Sequence, residues 1–117
     1  SFENAIEKVT QELKKEGFGV LTEIDVKETL KNKLGVDFRK YKILGACNPH
    51  FAHQALLHES EIGSMLPCNV VVQENADNQI RVSAIDPVES MKAVDNPELG
   101  KIAMQVREKL KKVIEEF

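Results

Sequence analysis

Apolar residues recur every three or four positions in four stretches of the chain, which is the spacing of one face of an α-helix. The stretches are Phe2–Leu13, the segment from Asp25 to Gly35, the segment from Asn48 to about Leu57, and Asn96–Phe117. The last keeps its apolar stripe over about five turns, with Glu and Lys on the other side. The pattern therefore predicts four helices, of which the last is the longest and the most regular.

Residues that start and stop helices stand at the ends of these stretches. Asp25 begins the second stretch, and Glu28 stands three residues after Asp25, which is the spacing of a capping box. Asn48 and Asn96 are each followed by proline, which favours an N-cap with proline at the first helical position. Gly17 follows the first stretch and suits a left-handed C-terminal cap.

Four short segments rich in β-branched residues lie between the helices and predict strands. They are Phe18–Ile24, Tyr41–Cys47, Asn69–Glu74 and Ile80–Ile85. The last two are separated by a turn at Asp77-Asn78, so we expect them to form a β-hairpin. Apolar and polar residues alternate in the final segment, which indicates that one face of this strand is wetter than the other.

The order of elements predicts the fold class. Residues 59–67 are predicted to be irregular, with one short turn around Glu61, and residues 87–95 to be a loop anchored by Val88 and Met91. Four strands cannot bury themselves, so one sheet face has to pack against the long helices. We expect a single α+β domain spanning residues 1–117, a two-layer sandwich of an antiparallel sheet and helices. The other sheet face is either solvated or covered by a second subunit.

Composition narrows the class of protein. A chain of 117 residues is one domain by size. Its 16 basic and 19 acidic residues give a net charge of −3, which argues against a nucleic-acid-binding surface. No apolar run approaches the ~20 residues of a membrane-spanning helix, and no signal peptide opens the chain. The missing initiator Met indicates a processed or trimmed start. Two cysteines are too few for a disulfide scaffold, so we expect free thiols in a reducing cytoplasm.

Four sequence blocks together resemble a known family. They are Gly17–Lys27, Ile43–Pro49, Leu66–Val72 and Ser83–Pro87. These blocks resemble the domain of unknown function 302 family of small bacterial and archaeal proteins, over nearly the whole chain. The resemblance implies a curved antiparallel sheet with helices on one side, grouped with the TATA-box-binding-protein-like folds, and a frequent dimer. It also implies a strand before the first helix, whereas this chain starts at the helix. It implies no activity, because function belongs to sites rather than folds.

The segment from Cys47 to His53 carries the most candidate chemistry. Cys47 ends a strand just before a helix N-terminus, where the helix dipole favours a thiolate. His50 and His53 are three residues apart, so both can lie on one helix face. If Cys68 begins a neighbouring strand, the four side chains could hold Zn²⁺ or Cu⁺ tetrahedrally. The spacing is not that of a standard zinc motif, and the competing interpretation is that both cysteines are packing residues.

A small-ligand pocket is the second interpretation of the same region. It would lie at the end of the central strand and use Cys47, Asn48, His53 and Cys68, with the Asn48 amide orienting the ligand. The competing structural interpretation is that Asn48 caps a helix and that the neighbouring prolines stiffen loops.

Three functions stay open at the level of sequence. The favoured one is a cytoplasmic homodimer that binds a small molecule or a metal, with zinc as the candidate ion. The second is a redox or nucleophilic enzyme with Cys47 as thiolate and His53 as base. The third is an interaction domain that acts through its dimer surface. We expect neither nucleic acid nor a membrane as a partner.

Overall fold

The computed structural model describes residues 1–117 and confirms every predicted helix and strand. The elements are α1 Phe2–Lys15, β1 Gly19–Asp25, α2 Val26–Leu34, β2 Tyr41–Cys47, α3 Pro49–His58, a 3-10 helix Ser60–Met65, β3 Cys68–Glu74, β4 Ile80–Ala84, α4 Pro87–Ser90 and α5 Pro97–Glu116. Two details differ from the prediction. The irregular segment contains the 3-10 helix, and the loop before α5 contains the one-turn helix α4.

A single carboxylate explains the extra turn of α4. Asp86 Oδ1 accepts hydrogen bonds from the backbone N–H groups of Val88 (2.9 Å) and Glu89 (3.4 Å). Pro87 occupies the first turn, where its missing N–H costs nothing. Asp86 therefore starts a helix within the segment that was predicted to be a loop.

The four strands form one open antiparallel sheet in the order β1-β2-β3-β4. Each strand pairs with the next one along the chain, and Ala46 of β2 lies opposite Cys68 of β3. Helices pack on this sheet, so the α+β class is confirmed. No helix of the chain is both long enough and apolar enough to cross a membrane.

One face of the sheet and two helices make the main core. The buried residues of this cluster are Phe2, Ala5, Val9 and Leu13 of α1, Phe18, Leu44 and Ala46 of the β1–β2 region, Cys68, Val70 and Val72 of β3, and Val106, Leu110 and Val113 of α5. Alternate residues of β2 and β3 point into it, as the pleat requires. The predicted apolar stripe of α5 is confirmed. A second, smaller cluster joins Ala55, Ile62 and Leu99.

Helix α2 has the predicted apolar stripe at Val26, Leu30 and Leu34, but it contributes no residue to the core. None of its residues is buried, and Leu34 is 69% exposed. The helix forms because its ends are capped: Asp25 Oδ1 accepts a hydrogen bond from Glu28 N (3.0 Å), and Gly35 adopts φ 67°. Local capping therefore stabilises a helix that buries no side chain completely.

The sheet face opposite α1 and α5 carries an apolar row, here called the outer face row. It consists of Ile24, Ile43 and Val71, which lie directly opposite one another across β1, β2 and β3. Ile24 is 48% exposed, and Ile85 beyond the end of β4 is 42% exposed. An antiparallel sheet face that only meets water is normally polar.

Gly45 is fixed by close packing at the centre of this face. The register shifts between Val20 and Thr22, which is a β-bulge in β1. A Cβ atom on Gly45 would overlap Thr22 Oγ1 and would lie 2.8 Å from Pro67 Cγ. Only glycine therefore fits between these two side chains.

Substituting Gly45→Ala is expected to lower the free energy of unfolding by about 1–3 kcal/mol because it overpacks this contact. The matched control is Gly19→Ala in the same sheet, where a Cβ atom meets nothing within 4 Å. Urea unfolding measures both. The loss should shrink in a Thr22→Ala background, and an equal loss in both backgrounds would contradict the steric explanation.

Candidate ligand pocket

A pocket opens where β2 ends and β3 begins, between that end of the sheet, α3 and α5. The space inside it that a water molecule can occupy is about 40 Å³, and the empty volume with the open solvent at its mouth is about 430 Å³. The lining residues are Phe18, Ala46, Cys47, Asn48, Phe51, Ala52, Ala55, Leu66, Pro67, Cys68, Pro87, Met91, Ile102, Ala103 and Val106. Twelve of these 15 residues are hydrophobic, so the pocket is an apolar cleft with a few polar groups.

Strand pairing brings both cysteines to this pocket. Because Ala46 pairs with Cys68, its neighbour Cys47 lies at the same end of the sheet as Cys68. Both thiols are free and both line the pocket. Cys68 is buried and Cys47 is half-buried. The strands that carry the two cysteines, β2 and β3, are therefore neighbours, as the predicted site required.

The buried thiol is held in its protonated form. Burial raises the pKa of Cys68, and the charge that Cys47 can carry raises it further. At neutral pH Cys68 is therefore a weak donor and a small apolar group rather than a nucleophile. This agrees with its place in the main core.

Asn48 stands at the predicted N-cap of α3, but its side chain does not cap the helix. Instead Asn48 Nδ2 donates to the carbonyl oxygen of Glu16 at 3.2 Å, across 32 residues of sequence. Gly17 permits this contact: its φ is 87°, and a Cβ atom there would lie 3.1 Å from Asn48 Nδ2. The side chain thus ties the end of α1 to the start of α3, which the capping prediction missed.

The oxygen and the second N–H of this amide are available for recognition. Asn48 Oδ1 accepts no hydrogen bond from the protein, and Asn48 lines the pocket. The sequence interpretation of Asn48 as a pocket residue is therefore compatible with its structural role, because the two roles use different atoms.

The histidines do not join the cysteines. His50 and His53 are exposed on α3 and do not line the pocket. The His50 ring packs edge-on against Phe51 at 5.4 Å between centroids. Phe51 and Ala55, which are four residues apart, face the pocket instead. The predicted ligand set is therefore divided between two sides of one helix.

The predicted metal site made of Cys47, His50, His53 and Cys68 is consequently not assembled. No group of three or more His, Cys, Asp or Glu side chains in the chain is placed to hold a metal ion. A tetrahedral zinc site needs four such ligands, or three and a water. The residues present at the pocket do not fit a zinc ion.

Much of the pocket wall was not identified from the sequence. Ala103 and Val106 were assigned only to the stripe of α5, and Met91 only to a loop. They reach the pocket because α3 and α5 pack against each other, which is a long-range contact. The sequence contains one signal of this pocket, the small residues Ala55 and Ala103 on the facing sides of the two helices. Small side chains leave space between packed helices.

Comparison with known proteins places the chain in a family. The model of the domain of unknown function DUF302 matches residues 1–117. The chain belongs to the DUF302 family. A crystal structure of an uncharacterized conserved DUF302 protein from Bacillus stearothermophilus is similar to it, with 31% sequence identity and a TM-score of 0.90. The similarity covers 98% of this chain and 89% of the other. No curated protein matches this DUF302 chain.

The two thiols are expected to differ in reactivity. Iodoacetamide near neutral pH should modify Cys47 before Cys68, because Cys68 is only 8% exposed and its pKa is raised. A raised pKa lowers the thiolate fraction at a given pH, so labelling of Cys68 should increase as the pH rises. Peptide mass spectrometry over time measures both rates, and the unfolded chain is the control. Faster labelling of Cys68 in the folded protein would contradict the assigned burial.

Proposed function

We propose that this DUF302 protein is a binding module for a small apolar molecule, with its site in the pocket between the sheet end, α3 and α5. The observation that carries the proposal is the composition of the wall. Apolar side chains, the two thiols among them, surround the cleft, and Asn48 is the only lining residue with a nitrogen or oxygen atom in its side chain. Small-molecule sites typically combine such a concave apolar wall with a few placed polar groups.

Packing energetics support a ligand at this place. Protein interiors are close-packed, so apolar walls that leave a gap lose dispersion contacts. Ala52, Ala55 and Ala103 line this gap with the smallest apolar side chain. A ligand that fills it regains about 25 cal/mol for each Å² of apolar surface removed from water. A ligand that binds the folded chain but not the unfolded chain would also raise the free energy of unfolding.

A substitution that fills the pocket should abolish binding. Ala52→Phe adds a ring to the half-buried wall of α3, whereas Ala93→Phe adds the same ring at an exposed loop position outside the pocket. Ligand-observed NMR with a set of small aromatic fragments is expected to give binders to the wild type and to Ala93→Phe, but not to Ala52→Phe. Fragments that bind all three proteins alike, or none of them, would contradict the proposal.

A thiol enzyme is the second candidate, and one observation favours it. Cys47 is free, half-buried and in the pocket, where a bound molecule would meet it. The base that the sequence offered, His53, does not line the pocket. Binding without catalysis is therefore the stronger proposal. A Cys47→Ser variant separates the two, since a binding module keeps its fragment affinity while a nucleophilic enzyme loses its reaction.

The module is further proposed to act as a homodimer through the outer face row. Four strands about 4.8 Å apart and seven residues of about 3.3 Å give a face of roughly 440 Å² in plane. Each partner in a standard interface buries ~800 Å² of accessible surface. Accessible surface exceeds the in-plane area because side chains project from the sheet, so a stable dimer needs nearly the whole face. A second copy presents the same row of Ile24, Ile43 and Val71, which a two-fold axis can match to itself.

Sedimentation analysis tests this interface. The wild type should sediment at twice the 13.2 kDa mass of the chain. Ile24→Glu places a charge in the proposed contact and should give the monomer mass. The control is Leu57→Glu, at a position of α3 that is 72% exposed, which should stay dimeric. A monomeric wild type, or a dimeric Ile24→Glu, would contradict the assignment.

A further inference from the structure

We infer that Arg39 and Arg81 form a second binding site, for a doubly charged oxyanion such as the phosphate group of a small molecule. Tyr41, Gln73 and Arg81 lie directly opposite one another across β2, β3 and β4. Val72, the neighbour of Gln73, is buried in the main core, so Gln73 and its partners are on the opposite, outer face of the sheet. They form the last row at this end of the face, so a bound anion lies at the rim of the proposed dimer. The site is separate from the pocket, and the inference does not rest on the proposed function.

The side chain of Arg39 is held in place by two kinds of contact. Its guanidinium carbon lies 4.4 Å from the ring centroid of Phe38 and 5.5 Å from that of Tyr41. Its Nε donates a hydrogen bond to Gln73 Oε1 at 3.0 Å. Because this is the only hydrogen bond of the guanidinium within the protein, both terminal NH₂ groups are left for a ligand. Arg39 is exposed in spite of these contacts, so a ligand can reach it.

Arg81 lies beside this fixed guanidinium. The Cβ atoms of directly opposite residues in a sheet are about 5 Å apart, so Arg81 is the immediate neighbour of the Gln73 that holds Arg39. Arg81 is exposed. An arginine side chain is long enough to span this separation, so the two guanidiniums can bind the oxygens of one anion.

Neither guanidinium is neutralised by the protein. The chain has nine side-chain ion pairs, and Arg107 is the only arginine among them, with Asp86 as its partner. Lys40, the residue after Arg39, is paired with Glu3 at 3.1 Å. Two unpaired like charges side by side repel each other, and a bound anion relieves this repulsion. The site therefore carries a local positive charge on a chain whose net charge is −3.

Two guanidiniums favour a doubly charged oxyanion over a carboxylate. Each guanidinium presents parallel N–H groups that bind two oxygens of a phosphate or a carboxylate at once. One arginine therefore satisfies a carboxylate, which carries a single charge. A phosphate monoester has further acceptor oxygens and a charge of about −2 near neutral pH, so it can engage both arginines. The contacts that fix Arg39 reduce the entropy that is lost when the ligand binds.

Inorganic phosphate, sulfate and acetate test the ligand class on the wild-type chain at neutral pH and constant ionic strength. Amide-resolved NMR titrations are expected to give saturable shifts at Arg39, Gln73 and Arg81, with dissociation constants on the order of 1 mM for phosphate and sulfate. Acetate should bind at least about tenfold more weakly. Acetate binding as tight as that of sulfate, or no saturable shift at these residues, would overturn the inference. Neither result bears on the pocket, because no pocket residue takes part.

Removing either arginine should weaken sulfate binding at least about tenfold, because each one supplies charge-assisted hydrogen bonds. The variants are Arg39→Gln and Arg81→Gln, both at exposed positions where the fold should be retained. The control is Arg107→Gln, which removes the arginine that is paired with Asp86 and should keep the wild-type affinity. Equal weakening in all three variants would show a general charge effect and contradict the assigned site.

A carboxylate placed between the two arginines should abolish sulfate binding. Gln73→Glu keeps the size of the side chain, and its charge is expected to pair with Arg39 and to repel the anion. Gln105→Glu adds the same charge at an exposed position of α5, across the sheet from the site, and should change the affinity by less than about twofold at constant ionic strength. Undiminished sulfate binding by a folded Gln73→Glu variant would overturn the inference.

Discussion

The burial of one sheet face by α1 and α5 is the constraint on which the rest of this structure depends. Leu44 and Val70 lie opposite each other on β2 and β3 and are fully buried, as are Val9 of α1 and Val113 of α5. The strands cannot bury their apolar residues alone. Helices α1 and α5 are amphipathic, and both pack their apolar stripes on the same face of the sheet. The consequence is a two-layer molecule with a second sheet face that no helix of this layer covers.

The pocket follows from a difference in length between α5 and the strands. Helix α5 has 20 residues and is therefore about 30 Å long, whereas seven-residue strands span about 23 Å. Its C-terminal half packs on the sheet through Val106, Leu110 and Val113, while Leu99 packs with Ala55 and the 3-10 helix beyond the sheet end. The pocket lies where these two contact regions meet.

Local signals in the sequence predicted the helices and strands. The predictions failed where the role of a residue depends on a long-range contact. The caps at Asp25 and Asn96 form as their sequence patterns require. Asn48 carries the same cap-plus-proline pattern, yet it bonds to Glu16, and no local rule shows that Gly17 makes room for it. The convergence of the two cysteines was predictable from neighbouring strands. The exposure of the histidines was not, because it depends on which side of α3 faces α5.

The most direct test of the account is an amide-resolved NMR titration of the wild-type chain with indole. A ligand in the proposed pocket should shift the signals of residues 46–52, Cys68 and residues 102–106, which line it or lie next to its lining residues. Signals of the outer face row should stay unchanged. Shifts that concentrate on the outer face row, or no saturable shifts at all, would contradict the claim that the pocket between the sheet end, α3 and α5 is the functional site.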